Sequence, residues 1–425
     1  MLAKKWGTAL LVALLLLVHG AHALWAQEED ANKNAIRVGI NVPLSGAYNK
    51  QGQDEKRAYQ LAIEQINDNG GLLGRRIEPV IKDTQVDPQV ARKNAMAFIR
   101  EDKVDLITGG SSSAVAVAQS DVCQKNGVVF MAALTHSSAT TGFDKTTTGY
   151  KEQTAHRHTF RWYFNDWMTK KALVPFLVEK FGNESSYFHI TADYIWGYTT
   201  QNAIKSGTGL HGADTVGTVT TPLGTKDFSQ ELQQAGDSGA DILVLNLFGQ
   251  DLVHAMNQVH QMKHTDSLQI VAPIIELNMA HAINNEVLQK TYSTTSWYHG
   301  LSDRFQGTRD FVQTFSQKYG QPPGIAAATA WVAIKEWAAA VERAGTTASN
   351  EVIRKLEGHS FTLLKDRETW RSWDHQATSS VFVVQGKSPQ NMANEWDVLK
   401  ILKSVPSEDV MRTRTQNPVM LESLQ

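Results

Sequence analysis

Apolar and polar positions along this chain alternate in blocks of two different periods. Val38–Val42 is a short, nearly continuous apolar run, the mark of a buried strand. The next apolar residues, Ala58, Leu61, Ala62 and Ile66, recur at helical spacing. Asn69-Gly70-Gly71 stops that helix with residues tolerant of positive φ. Ile77–Ile81 returns to a strand that ends at Lys82-Asp83. Asp87 caps a second helix and Pro88 opens it, with Ala91, Ala95, Phe98 and Ile99 as its stripe. Strand–helix–strand–helix at this spacing predicts a parallel sheet with helices on its faces. The alternation resumes at Tyr187–Thr191, then a helix after Gly197, Thr215–Thr220, and a helix near Phe228–Ala235. Ile242–Leu247 and a helix from Asp251 follow.

In such sheets ligands lie beyond the carboxyl ends of strands. The turn Leu44-Ser45-Gly46 sits at one such end and is a candidate wall of a site. Gly109-Gly110-Ser111-Ser112-Ser113 sits at another, between the apolar run Val104–Thr108 and a helical pattern from Ala114 to about Gln124. Backbone N–H groups at a helix start are unpaired within the helix, and the dipole there favours an anion. Serine hydroxyls add uncharged donors, which suits a carboxylate or a carboxamide. The plain alternative is N-capping by one serine.

Length and composition narrow the class. At 425 residues two lobes are expected. No Pro/Gly/Ser-rich linker, repeat or low-complexity run divides the chain, which favours lobes joined by several crossing segments. Residues 1–23 read as a secretory signal peptide: Lys4 and Lys5, an apolar run from Leu10 to Val18, and Ala21-His22-Ala23 as a cleavage site. No cysteine follows that run, so a lipid anchor is not expected. A formal net charge of −2 gives no basic surplus for nucleic acid or a membrane surface. The single cysteine, Cys123, excludes an internal disulfide and reads as a small buried hydrophobe. No Cys/His metal spacing appears, and no cofactor is expected.

Catalysis has little support. Ser112, His136 and Glu276 make a Ser-His-acid set on paper, but no G-x-S-x-G elbow surrounds Ser112. Gly70-Gly71-Leu72-Leu73-Gly74 lacks dinucleotide-binding spacing, and there is no P-loop. The expectation is a binding protein, with a hydrolase as the weaker alternative.

P-L-S-G, I-N-D-N-G-G-L-L-G-R-R, I-K-D-T-Q-V-D-P and G-G-S-S-S together resemble the periplasmic leucine/isoleucine/valine-binding protein family. These are type I solute receptors of ABC importers. The resemblance covers roughly 36–400 and implies an α/β, two-lobed fold, each lobe a mostly parallel sheet flanked by helices, with a three-segment hinge. It implies crossings near 158–161, 298–302 and 360–367. One lobe would hold 36–158 and 302–360, the other 161–298 and 368–405, with a loose tail over 406–425. The implied setting is the periplasm. The implied partners are a small-molecule solute and the membrane permease and ATPase subunits of an importer, with the receptor itself a monomer. A ligand-sensing role is the alternative that the same fold allows.

The resemblance also assigns residues. It places the carboxylate-binding serine in the loop Ser111-Ser112-Ser113, with Ser112 and Ser113 favoured. Leu134, Thr135 and His136 supply backbone and side-chain polar groups. His136 stands where the family has a small hydroxyl residue; it can accept from an amine, donate to a carbonyl, or carry positive charge. Trp196 in Asp193-Tyr194-Ile195-Trp196-Gly197 and Phe248 in Leu247-Phe248-Gly249 match aromatic lids. Tyr48 and Trp331 match the side-chain pocket. The family's ammonium partner aligns with Ile274, and Glu276, two residues later, is the nearest acid. The aromatic, basic segment His156–Lys171 narrows the cleft mouth or covers packed helices.

Overall fold

Seven residues, Ile36–Val42, form β1, an interior strand of the first sheet, and all but Arg37 are buried. The computed structural model describes residues 35–144, 152–262 and 267–424; the leader read from residues 1–23 lies outside them. β2 (Ile77–Asp83), β3 (Leu106–Gly110), β4 (Val129–Ala133) and β5 (Thr159–Arg161) join β1 in the order β2-β1-β3-β4-β5, every pair parallel.

The second sheet repeats the plan. β6 (Tyr187–Ala192), β7 (Thr215–Thr221), β8 (Ile242–Asn246), β9 (Gln269–Ile274) and β10 (Tyr292–Thr295) are parallel. β11 (Val381–Gly386) and β12 (Leu399–Val405) extend it antiparallel, giving β12-β11-β10-β9-β8-β6-β7. In each sheet one strand is flanked by its two sequence successors. Those are the switch points, between β1 and β3 and between β6 and β8, where helices leave to opposite faces and a crevice opens. Two short ladders, Phe143–Asp144 with Glu152–Gln153 and Ser360–Phe361 with Glu368–Thr369, lie outside the sheets.

The helices follow from the pattern that predicted them. Asn49–Asp68 buries Ala58, Tyr59, Leu61 and Ala62. It packs along the alanine-rich helix Ile325–Ala344, which covers the first sheet. The Asp87 carboxylate caps Pro88–Arg100, accepting from the N–H groups of Gln89 (2.6 Å) and Val90 (3.2 Å). Cys123 is fully buried beside Phe98 and Phe130, as a small hydrophobe. No described helix is long and apolar enough to cross a membrane.

The tail does not hang loose. The Glu422 carboxylate accepts from His156 Nδ1 (2.6 Å) and from the Arg157 N–H (2.9 Å). Asn417 Nδ2 donates to the Thr141 carbonyl (3.0 Å). Val410 and Val419 are buried. Polar side chains fasten this segment, so an apolar periodicity could not reveal it. Leaving the second sheet at Val405, it ends against the first lobe, a further connection between the two.

Arg161, at the end of β5, has no exposed surface. It donates to the carbonyls of Thr135 (3.3 Å) and Ser137, to Thr141 Oγ1 (2.8 Å) and to Gln376 Oε1 (2.7 Å). Burial lowers its pKa to about 9, so it stays charged at neutral pH, helped by Asp166 and Asp374. It fixes the loop after β4. Arg161→Met leaves those acceptors unpaired and is expected to destabilise by about 3 kcal/mol or more, measured by urea unfolding. A loss under about 1 kcal/mol would mean that water replaces the guanidinium.

Candidate functional site

The two switch points face each other. From the first lobe come the turn after β1, the serine loop after β3 and the loop after β4. From the second come the loops after β6, β8 and β9. They enclose a narrow space. Ser111, Ser113, Leu134, His136 and Tyr163 line it on one side; Tyr194, Trp196, Phe248 and Ile274 line it on the other.

Local backbone chemistry sets the serine loop. Gly109 has φ +116°, and a Cβ there would lie 2.2 Å from the Asn41 carbonyl oxygen, so only glycine lets β3 lie against β1. Ser111 (φ +54°) and Leu134 (φ +47°) also sit in the left-handed region, where a side chain costs of order 1 kcal/mol or more. Strain at two lining residues marks a site whose surroundings hold it in place.

His136 joins the lobes. The Trp196 indole N–H donates to its Nδ1 (3.2 Å). A neutral ring then carries its proton on Nε2, which faces Thr169 Oγ1 (2.8 Å). Thr169 meets Thr294 Oγ1 (3.2 Å), which donates to the Pro273 carbonyl (2.6 Å). The donors therefore run in one direction, from the second lobe through the first and back. Burial, then Arg161, pushes the imidazole pKa well below its usual value. The positive charge offered as one role for His136 is thus absent, and both its nitrogens are already bonded.

Aromatic rings close the cleft. The Tyr48 ring meets Phe248 edge-on at 5.2 Å, and Trp196 lies 5.9 Å from Phe248. The hydroxyls of Tyr48 and Tyr194 are 2.6 Å apart, and the Gln250 N–H donates to the Ala47 carbonyl (3.1 Å). Gly249 permits this approach. Its φ is +62°, and a Cβ would lie 2.5 Å from the Tyr48 ring.

Behind the serine loop is a group of buried carboxyls. Ser111 Oγ donates to Glu55. Asp54 accepts from the Gly324 N–H (3.1 Å). Glu276, from the second lobe, caps Leu277–Ala282 by accepting from the Asn278 N–H (3.1 Å), and accepts from Gln51 Nε2 (3.0 Å). A Cβ on Gly324 would lie 2.3 Å from Glu276 and 3.0 Å from Asp54, so carboxyls of both lobes pack on one glycine. Burial, then the neighbouring Glu276, raises Asp54 from 3.8 to about 7. Burial raises Glu55 from 4.5 to about 8, against the Ser111 hydrogen bond, with Asp54 adding to the rise. Glu276 is raised by burial too.

The positions singled out in the sequence separate as follows. Ser111, Ser113, Leu134, His136, Trp196 and Phe248 line the pocket, with Ile274. Tyr48 backs Phe248 from behind. Ser112 is buried at the helix N-cap and makes no side-chain capping bond. Thr135 is engaged with Thr140 Oγ1 (2.8 Å). Glu276 sits beside the pocket among acids. Trp331 is not in the pocket: it packs 5.1 Å from Phe311 and donates to Gln65 Oε1 (3.1 Å), because the alanine helix turns that edge toward the first helix. Unforeseen were Gln51, Asp54 and Glu55 as buried groups; Tyr163, from the segment His156–Lys171 read as narrowing the cleft mouth or covering packed helices, lines the pocket. The signal existed: polar Gln51, Asp54 and Glu55 share the helix face that carries Ala58 and Ala62.

A profile of the periplasmic binding protein family matches residues 35–391. The chain belongs to that family. This bears out the resemblance carried by the sequence motifs. Among its relatives is Leu/Ile/Val-binding protein homolog 7 of Brucella abortus (strain 2308), 24% identical over 370 residues, 85% of each chain. A periplasmic binding protein from Burkholderia mallei superposes with TM-score 0.82 at 24% identity, covering 91% of this chain and 98% of its own. A solute binding protein of an ABC transporter from Rhodopseudomonas palustris BisB5, in complex with 3,4-dihydroxy benzoic acid, gives 0.77 at 16% identity, covering 88% and 98%. These structures establish the two-lobed type I fold. As a periplasmic binding protein, the chain carries its cleft where the two switch points meet.

Two outcomes follow for this periplasmic binding protein. Gly249→Ala strains a left-handed position and drives a methyl into Tyr48, so the lobes are expected to stay apart. Small-angle scattering is expected to give a larger radius of gyration than for the parent; an unchanged radius would show that Tyr48 yields instead. The carboxyls set the pH response. Folded Asp54 and Glu55 keep protons that the unfolded chain has lost, so the folded state binds more protons and stability falls as pH rises. The unfolding midpoint is expected to drop between about pH 4 and about pH 8, with a shallower drop in Glu55→Gln, by calorimetry.

Proposed function

We propose that this chain is the periplasmic receptor of an ABC importer, capturing a small polar solute of the amino acid, amide or carboxylate class between its lobes. The observation that carries this reading is the Trp196–His136 bond with the Tyr48–Phe248 contact. Rings from one lobe cover a pocket floored by the strained serine loop of the other. A ligand touching both lobes shifts the population toward the closed form, because only that form offers both sets of contacts. Rigid aromatic lids bury much area with few rotors to immobilise.

The reading assigns the first lobe as the initial docking surface and Trp196 as the lid. It places the hinge at the crossings near 158–161, 298–302 and 360–367. Permease and ATPase subunits recognise the closed form and do the transport. The receptor itself catalyses nothing: His136, the one histidine lining the pocket among the described residues, has its nitrogens engaged by Trp196 and Thr169. The names of its relatives, among them Leu/Ile/Val-binding proteins, support the class of solute.

The test is a thermal-shift panel on the mature chain, covering branched-chain and other amino acids, short amides, urea, and aromatic and aliphatic carboxylates. A ligand at a hundred times its dissociation constant adds about 2.7 kcal/mol and raises the midpoint by a few degrees. Scattering with the responding solute is expected to show compaction. A responding solute that leaves the radius unchanged would remove closure from the reading. Trp196→Ala is expected to speed dissociation at least tenfold, by stopped-flow fluorescence, through loss of about 1.4 kcal/mol or more of lid contact.

A further inference from the structure

The pocket and the space behind it are rich in acceptors and poor in cations. Asp54, Glu55 and Gln51 have no exposed surface, and Glu276 is 1% exposed. Asp54 Oδ1, Glu55 Oε1 and Gln51 Oε1 have no hydrogen-bond partner among the described residues. All three are buried acceptors without a donor, each on the helix face that meets Glu276. A buried acceptor left unpaired costs about 1–3 kcal/mol, and more when charged; the protons kept by Asp54 and Glu55 relieve part of that cost, and a cationic donor from outside would relieve it further.

Among the described residues, no cationic side chain makes a hydrogen bond or ion pair with Gln51, Asp54, Glu55 or Glu276. The serine hydroxyls are engaged: Ser111 donates to Glu55, and Ser113 Oγ accepts from the Ser137 N–H (3.1 Å). His136 is neutral. Arg161 is held by the carbonyls of Thr135 and Ser137, by Thr141 and by Gln376. Beyond Glu276 a narrow recess is lined by Tyr298 and His299, and burial lowers His299 to about 4. Tyr59 and Tyr163 keep their protons, since burial raises both. Arg57, on the same helix and partly exposed, is the base whose charge acts on Asp54. Toward the cleft the walls are the rings of Tyr163, Tyr194, Trp196 and Phe248, whose faces attract a cation.

We infer that the pocket takes a small organic cation of net positive charge, an amine or a basic amino acid, whose ammonium or guanidinium group enters the space among Gln51, Asp54, Glu55 and Glu276. The inference rests on the cleft being the solute site. It differs from a zwitterion's demand for one acid, because three carboxyls with no cationic side chain among them exceed what a single balanced charge pair requires. An ammonium has three donors and a guanidinium five, enough for the three unpaired oxygens. The bound cation displaces the proton held by Glu55 at neutral pH.

Titration calorimetry of the mature chain with putrescine, agmatine and lysine, against leucine and benzoate, tests this. At least one cationic probe is expected to bind more tightly than leucine and benzoate, and Asp54→Asn and Glu55→Gln are expected to weaken it about thirtyfold or more. Binding at pH 7 is expected to release protons, read as an enthalpy that changes with the buffer's own ionisation enthalpy. Both variants replace a buried carboxyl by a neutral group of the same shape, so neither is expected to lower the ligand-free unfolding midpoint; a variant that unfolds is replaced by Gln51→Leu, which removes a neutral acceptor. Leucine or benzoate binding while the amines do not overturns the inference and leaves the receptor reading standing. Failure of every cationic probe, equal cation affinity in parent and variants, or no proton release also overturns it.

Discussion

Closure of this protein hangs on one neutral imidazole. His136 receives the indole N–H of Trp196 on one nitrogen and faces the Thr169 hydroxyl with the other. Because indole only donates, the tautomer is fixed, and with it the direction of every hydrogen bond through Thr294 to the Pro273 carbonyl. A protonated ring would offer Trp196 a donor against a donor. The burial that keeps the ring neutral is therefore the same burial that the closed lobes create, and Arg161 reinforces it while holding the loop on which His136 stands.

Topology explains why so much chemistry converges there. In both sheets the first strand of the unit has its successors on either side, so the loops leave in opposite directions and a crevice remains. Glycines at 109 and 249 remove the bulk that would block the approach of strand to strand and of lobe to lobe. The site is thus a product of backbone geometry first, and its side chains act on a frame already drawn.

The parallel strands, their connecting helices and the serine loop were legible because each rests on local signals: apolar runs, helical stripes, Asp87-Pro88, Gly109-Gly110. The pocket's ring lining was legible in part, since Trp196 and Phe248 follow strand ends. What stayed hidden depends on distant partners. Nothing local says that the Gln51, Asp54 and Glu55 face will meet Glu276, more than two hundred residues away, or that Arg161 will meet Gln376. Trp331 misled because an alanine-rich helix with one large ring has the same pattern whether the ring faces a ligand or Phe311. The tail misled because Asn417 and Glu422 fasten it through polar side-chain contacts that leave no period in the sequence.

The interleaving of the lobes has a consequence for how the chain reaches this state. The first sheet is covered by a helix from residues 325–344, and the second is completed only by β11 and β12, with Glu422 the last fastening. Neither half can finish its core on the amino-terminal portion alone. During synthesis or passage through a narrow channel, the emerging segments carry unpaired strand edges and uncovered apolar faces until nearly the whole polypeptide is present. Maturation is thus governed by the arrival of the last fifty residues, and a nascent chain stalled short of them is a substrate for chaperones and proteases.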